Sequence, residues 1–155
     1  MKIERSLREL EVLALELQAP LILDSQVRVA AVIEAMRRSG LGYALLETDG
    51  RLDGIFTERD VFLSVLGNAP ALQRAVAHYM TVAPARVNGG DPVWRVIVMM
   101  HEGGYRQVPV VDGDDRILGC VRHKDIAGYL VNHYAAQVLN LPPDPEQVAR
   151  TPEGG

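Results

Sequence analysis

The chain has 155 residues, 48% of them apolar and 23% charged, with a net charge of −4. That is globular composition, enough for one domain or two small units sharing a core, and too apolar for an intrinsically disordered chain. The acidic balance, with no dense basic run, argues against a nucleic-acid binder, and no apolar stretch reaches membrane-spanning length.

Cys120 is the single cysteine, which forbids an internal disulfide and fits a reducing, cytoplasmic setting. It stands in an apolar run, where a buried small hydrophobe is the plainer reading than a nucleophile. The segment from Met1 to Leu17 alternates charges with Leu and Val, unlike a signal peptide. Lys2 and Lys124 are the only lysines; the remaining basic residues are Arg, which suits planar recognition of phosphate or carboxylate.

In chain order, Leu7, Leu10, Leu13 (or Ala14) and Leu17 recur at helical spacing and predict an amphipathic helix from Arg5 to Leu17, ended by Pro20. Leu21 to Leu23 reads as a short strand. Val29, Val32, Ile33 and Met36 form the buried stripe of a second helix, closed by Ser39-Gly40. Tyr43 to Leu46 and Leu52 to Phe56 read as a hairpin about Thr48-Asp49-Gly50. A helix is expected from Asp60 to Leu66, and another from Ala71 to Tyr79.

Then the order starts again. Val93, Val96, Ile97 and Met100 repeat the Val29, Val32, Ile33 and Met36 stripe position for position, and at the same offset Ala83-Pro84 repeats Ala19-Pro20. The turn Asp112-Gly113-Asp114-Asp115 carries one extra residue, so Ile117 to Asp125 matches Leu52 to Asp60 one position further on. A shift of this kind, confined to a turn, is what a duplication tolerates. The last helix, from about Asp125 to Leu139, is longer than its counterpart.

The expected organisation is an N-terminal helix at 1–18, repeats at 19–75 and 80–140, and a Pro- and Gly-rich tail at 141–155 without regular structure. Each repeat reads β–α–β–β–α, an α+β fold of small mixed sheets that needs its neighbour to bury its surfaces.

Gly54-Ile55-Phe56-Thr57-Glu58-Arg59-Asp60 and Gly119-Cys120-Val121-Arg122-His123-Lys124-Asp125 end a strand and open a helix in both repeats. Thr57 and Asp60, spaced i and i+3, share one face of a first helical turn. They either cap the helix or hold a ligand near its free N–H groups. Catalysis finds little support. His78, His101, His123 and His133 lack metal-ligand spacing, and Gly40-Leu41-Gly42 is no phosphate-binding fingerprint.

With Met80-Thr81 and Tyr105-Arg106-Gln107-Val108-Pro109-Val110-Val111-Asp112, these motifs give each repeat a resemblance to the cystathionine-β-synthase (CBS) domain. The pair resembles a Bateman module over about residues 17–139. The resemblance implies a regulatory module that is not an enzyme and that binds an adenosine-containing ligand: AMP, ADP or ATP, with NAD and S-adenosylmethionine less favoured. It implies that Thr57 and Asp60, with Ile55 beside them, meet ribose or phosphate, walled by Ala19, Pro20, Leu21 and Ile22 and by Gly42, Tyr43 and Ala44. A second site would use Asp125, Arg122 and Cys120, walled by Pro84, Arg86, Arg106, Gln107 and Val108.

Arg122 stands where the family's hydroxyl belongs, and could meet a phosphate or pair with an acidic neighbour. The first repeat also lacks the Pro that the second has at Pro109. The alternative reading is therefore a docking module with degenerate pockets. With no further domain in the chain, output would go through a separate effector protein. Both helical stripes look wider than one contact needs, with Ala30, Ala31 and Ala35 on one and Trp94, Val98 and Met99 on the other. A homodimer through these helices is the expected cover, and the N-terminal helix or the long last helix the in-chain alternative.

Overall fold

The Asp49-Gly50 turn has both residues at positive φ, 51° and 77°, the geometry that lets a tight loop follow the twist of its strands. It joins β2 (Tyr43–Thr48) to β3 (Arg51–Thr57), the antiparallel hairpin of the first repeat. A computed structural model describes residues 2–139 of the chain. The expected unstructured tail at 141–155 lies outside the described residues.

β1 (Ile22–Asp24) pairs parallel with β2, as a strand–helix–strand crossover through α2 (Val29–Ser39) requires. The helix stops at Gly40, which adopts the left-handed conformation (φ 70°). After β3 come a single α-turn, α3 (Glu58–Asp60), and a π-helical turn, Val61–Val65, where a regular helix is expected. The segment expected to be a helix from Ala71 to Tyr79 is two 3₁₀ turns, Ala69–Gln73 and Val76–His78. β4 (Thr81–Val82) then joins the free edge of β3.

The second repeat has β5 (Val87–Asn88), α4 (Val93–Gly103), β6 (Gln107–Val111), β7 (Ile117–Arg122) and α5 (His123–Leu139). Its sheet runs β5-β6-β7 beside the first, β1-β2-β3-β4, and both are mixed. Register shifts fall between Leu46 and Glu47 and between Val110 and Val111, matching positions in the two repeats.

The N-terminal region departs from expectation. α1 spans Lys2–Glu9 and breaks there; Val12–Ala14 is a 3₁₀ turn and Leu15 is extended. The break is imposed by tertiary hydrogen bonds. Val12 N–H donates to Asp91 O at 2.9 Å, Leu13 N–H to Gly89 O at 3.2 Å, and Leu10 O accepts Val93 N–H at 2.8 Å. The matching set in the other repeat is present too: Val76 to Val27, Ala77 to Ser25, and Val29 to Arg74. The two segments therefore do the same work in exchanged positions. The one preceding the first repeat completes the second repeat, and the one preceding the second completes the first.

This exchange supplies cover that the wide helical stripes need. Leu7, Val12 and Leu15 are buried with Val93, Val96, Val108 and Val121, with Trp94 packed against them. The Arg8 guanidinium lies 4.6 Å from the Trp94 ring centroid. Ala71 and Val76 are buried with Val29, Val32 and Met36 in the same way. At Trp94 and Met99 the chain's own segments provide such cover.

The seam between the repeats is a third cluster, in which Tyr43, Leu45, Leu52 and Ile55 meet Val111 and Cys120. Leu52 N–H donates to Asp115 O across it at 2.9 Å.

Candidate functional site

β3 turns into α3 at Thr57, whose extended backbone (φ −124°, ψ 168°) makes it the N-cap. Asp60 Oδ2 accepts the Thr57 N–H at 2.8 Å and the Thr57 hydroxyl lies 3.1 Å away. The Thr57 side chain bonds the Asp60 backbone in return, closing a capping box. That arrangement consumes one carboxylate oxygen. Among the described residues, Asp60 Oδ1 has no hydrogen-bond partner.

Gly54 lets the next strand approach. A Cβ there would sit 2.9 Å from Thr81 O and still closer to the Met80 side chain, so only glycine permits β4 to pair with β3. This pairing brings the start of the second repeat beside the first motif. The result is a cleft of about 900 Å³. Gly42, Ile55, Thr57, Glu58, Arg59, Asp60 and Leu63 form one wall; Ala83, Pro84, Ala85, Gly104, Tyr105, Arg106, Gln107 and Pro109 form the other. The walls are mixed in character. Ile55, Pro84, Ala85 and the half-exposed Tyr105 ring are apolar, whereas Arg59 and Arg106 are guanidinium groups without an ion pair among the described residues.

The walls assigned to the second site by sequence position thus line the cleft of the first motif. Pro84, Arg106 and Gln107 face Ile55, Thr57 and Asp60 across it. Of the residues assigned as walls for Thr57, Gly42 lines this cleft and the others lie elsewhere. Ala44 is fully buried in the first repeat's core, Tyr43 is buried in the seam, Leu21 packs against both clusters, and Ile22 is exposed on β1. Pro20 is half-buried outside the cleft lining. Val108 is fully buried in the second repeat's core. Arg86 turns away to Asp115, Nη1 to Oδ1 at 3.1 Å, and to Pro84 O. The sequence reading missed Glu58, Arg59 and Leu63. The first two stand within the motif itself and were readable as neighbours of Thr57, whereas Leu63 enters through the π-turn, which has no sequence signature here.

The second motif is closed. Asp125 accepts Arg122 N–H at Oδ2 (2.7 Å), Arg122 Nη2–H at Oδ1 (2.8 Å) and Nε–H at Oδ2 (3.3 Å). Both carboxylate oxygens are used, and the hydrogen bonds to Asp125 raise the Arg122 pKa. Tyr43, the counterpart of Gln107, is 2% exposed and fills the seam next to Cys120. Burial pushes the Tyr43 phenol far above its ordinary value, with Cys120 adding to the shift. Burial likewise pushes the Cys120 thiol up to about 12. Cys120 is thus an inert buried thiol. Asp125 also borders a separate hollow of about 620 Å³ with Ala14, Leu15, Glu16, Gly128, Tyr129 and Asn132.

Comparison with known proteins decides the family. The model of the CBS domain matches twice, at residues 17–67 and 76–132. The chain belongs to the CBS-domain family. The CBS pair of protein MJ0100, solved in complex with 5′-methylthioadenosine and S-adenosyl-L-methionine, superposes with a TM-score of 0.71 at 21% identity, over 80% of this chain and 98% of that one. PAE2072 from Pyrobaculum aerophilum, complexed with AMP, gives 0.72 at 20% identity, over 82% and 99%. The Meiotically up-regulated gene 70 protein of Schizosaccharomyces pombe is 29% identical over 132 residues, 84% of this chain. The chain spans 17% of that protein's length.

The two CBS repeats here form an α+β pair with two small mixed sheets, as their sequence predicts. Among the described residues no helix is long and apolar enough to cross a membrane, and no group of three His, Cys, Asp or Glu side chains could hold a metal ion.

Proposed function

We propose that the protein is a ligand-sensing regulatory module that binds an adenosine-containing ligand, AMP, ADP or ATP first among them, in the cleft at Thr57 and Asp60. The observation that carries this reading is Asp60 Oδ1, without a partner among the described residues, on the wall of a 900 Å³ cleft. A capping box alone needs no such cleft. A ribose hydroxyl donating to Oδ1 would leave the cap intact. Ile55, Pro84, Ala85 and Tyr105 offer the apolar surface that a purine stacks on, and Arg59 and Arg106 suit its phosphates. The ligands named for MJ0100 and PAE2072 all contain adenosine, which supports the same class here.

Occupancy is one ligand per chain. With Arg122 paired to both Asp125 oxygens and Tyr43 in the seam, the second motif offers no carboxylate oxygen without a partner. The occupied cleft joins strands of both repeats and signals to a separate effector protein through their relative placement. Calorimetric titration with AMP, ADP, ATP, NAD and S-adenosylmethionine is the test. A hundredfold excess over Kd adds about 2.7 kcal/mol of stability. No heat and no melting shift with any of the five would leave the closed second motif as the guide, and the docking-module reading in its place.

A further inference from the structure

The strap 83–86 runs from β4 on the first sheet to β5 on the second, and its Ala83, Pro84 and Ala85 line the 900 Å³ cleft. Ala83 has φ 47°, a left-handed conformation unfavourable to any residue with a Cβ, which persists only where the surroundings impose it. Upstream, the Ala83 N–H donates to Asp53 O at 2.9 Å. Downstream, the constraint is a side chain. Arg86 Nε–H donates to Pro84 O at 3.3 Å, and Arg86 Nη1–H to Asp115 Oδ1 at 3.1 Å. The Asp115 carbonyl in turn accepts Leu52 N–H of the first repeat at 2.9 Å. One guanidinium thus ties the cleft wall to the seam.

The matching strap, 19–22, has no such tie. Ile22 stands where the other has Arg86, and Gly50 where it has Asp115. Gly50 and Asp115 both adopt positive φ, 77° and 60°. Glycine meets that demand without a Cβ penalty, so the aspartate is accounted for by what its carboxylate holds. The untied strap follows Leu17, which packs over Gly119 of the second motif, the one that Arg122 closes on itself. The tied strap walls the open cleft. The Arg86 side chain is 24% exposed and that of Asp115 57%, so the pair is too solvated to add much stability. What it supplies is position.

We infer that Arg86 is a positioning residue for the cleft: through Pro84 O and Asp115 it fixes the wall of Ala83, Pro84 and Ala85 against which a purine lies, without itself touching the ligand. The effect on affinity rests on the ligand reading above, whereas the fixed wall is a property of the unliganded chain. Because this wall meets the purine and not its phosphates, loosening it weakens adenosine and AMP by the same factor. A guanidinium that instead swung into the cleft to meet a phosphate would matter to AMP alone.

Arg86→Met, Asp115→Gly, their combination and Arg86→Lys, all in the full chain, test it. Without nucleotide, amide exchange followed by NMR is expected to rise roughly tenfold at Ala83 and Leu52 in Arg86→Met, as the strap opens locally. Unchanged exchange there overturns the proposal, whether or not any ligand binds. In calorimetric titrations, Arg86→Met and Asp115→Gly are each expected to weaken adenosine and AMP alike, by roughly 5–30-fold, within the range of residues coupled in one network. The double variant is expected to bind no more weakly than Arg86→Met. Arg86→Lys, which keeps a cation for Asp115, is expected to recover at least half of the loss on a logarithmic scale. Unchanged affinities, a loss for AMP far larger than for adenosine, additive losses in the double variant, or a lysine no better than methionine would each overturn the inference. A wild type that binds neither compound, while exchange in Arg86→Met rises as expected, would sink the ligand reading and leave the tied wall standing.

Discussion

Arg122 grips Asp125 at both carboxylate oxygens, Nη2 to Oδ1 at 2.8 Å and Nε to Oδ2 at 3.3 Å. The matching pair in the first repeat, Thr57 and Asp60, shares only Oδ2. One substitution at the N-cap thus separates a self-satisfied motif from one with an acceptor to offer. Arg122→Ala is therefore expected to leave AMP affinity within about twofold, since Arg122 lies outside the cleft. Asp125→Ala should cost about 1–3 kcal/mol of stability, through a lost cap and a guanidinium left half-buried without its partner. Urea denaturation and calorimetry on both variants check this.

At Asp60 the balance reverses. Asp60→Ala removes the Oδ1 acceptor and is expected to weaken AMP by roughly 10–150-fold, the range of a hydrogen bond to a charged group. The cap loss should lower stability by only about 1 kcal/mol. An affinity loss no larger than that of Arg122→Ala would remove Asp60 from the site.

Val12 and Val76 are both fully buried, one beneath each repeat. Val12→Ala and Val76→Ala are each expected to cost about 2 kcal/mol, two methyl groups plus a cavity. Val12 lies outside the matched family region, 17–67 and 76–132, so equal costs would mark the N-terminal segment as part of the second repeat. Hydrogen exchange should show lost protection on α4 for Val12→Ala and on α2 for Val76→Ala.

Stability should fall in alkali. The folded state keeps the Cys120 thiol protonated until about pH 12, whereas the unfolded chain releases that proton near its ordinary value, about 8.5. The unfolded state then binds fewer protons, so the stabilisation is complete below about pH 8.5 and is lost as pH rises towards 12. Tyr43, shifted the same way, adds a second loss that begins near pH 10. Each group contributes a slope of up to about 1.4 kcal/mol per pH unit. Melting temperatures from pH 7 to 11 should show a steep decline in the wild type and a shallower one in Cys120→Ala.

What the sequence determined by itself was local or periodic. The Val29–Met36 and Val93–Met100 stripes, the Asp49-Gly50 turn, the stop at Gly40 and the two strand-to-helix motifs depend on neighbours close along the chain. The duplication states the stripe and the motif twice, in the same order. The tertiary structure decided which pieces meet. β4 pairs with β3, so Pro84, Arg106 and Gln107 face Asp60 instead of Asp125. Val12 bonds Asp91 and Leu10 accepts from Val93, so a predicted continuous helix breaks after Glu9 to complete the far repeat. Two closely similar repeats present closely similar local signals, and either partner choice satisfies them equally. The choice follows from contacts between distant segments, among them the shared seam where Tyr43 and Ile55 pack on Val111 and Cys120, and such contacts have no counterpart in any single stretch of residues.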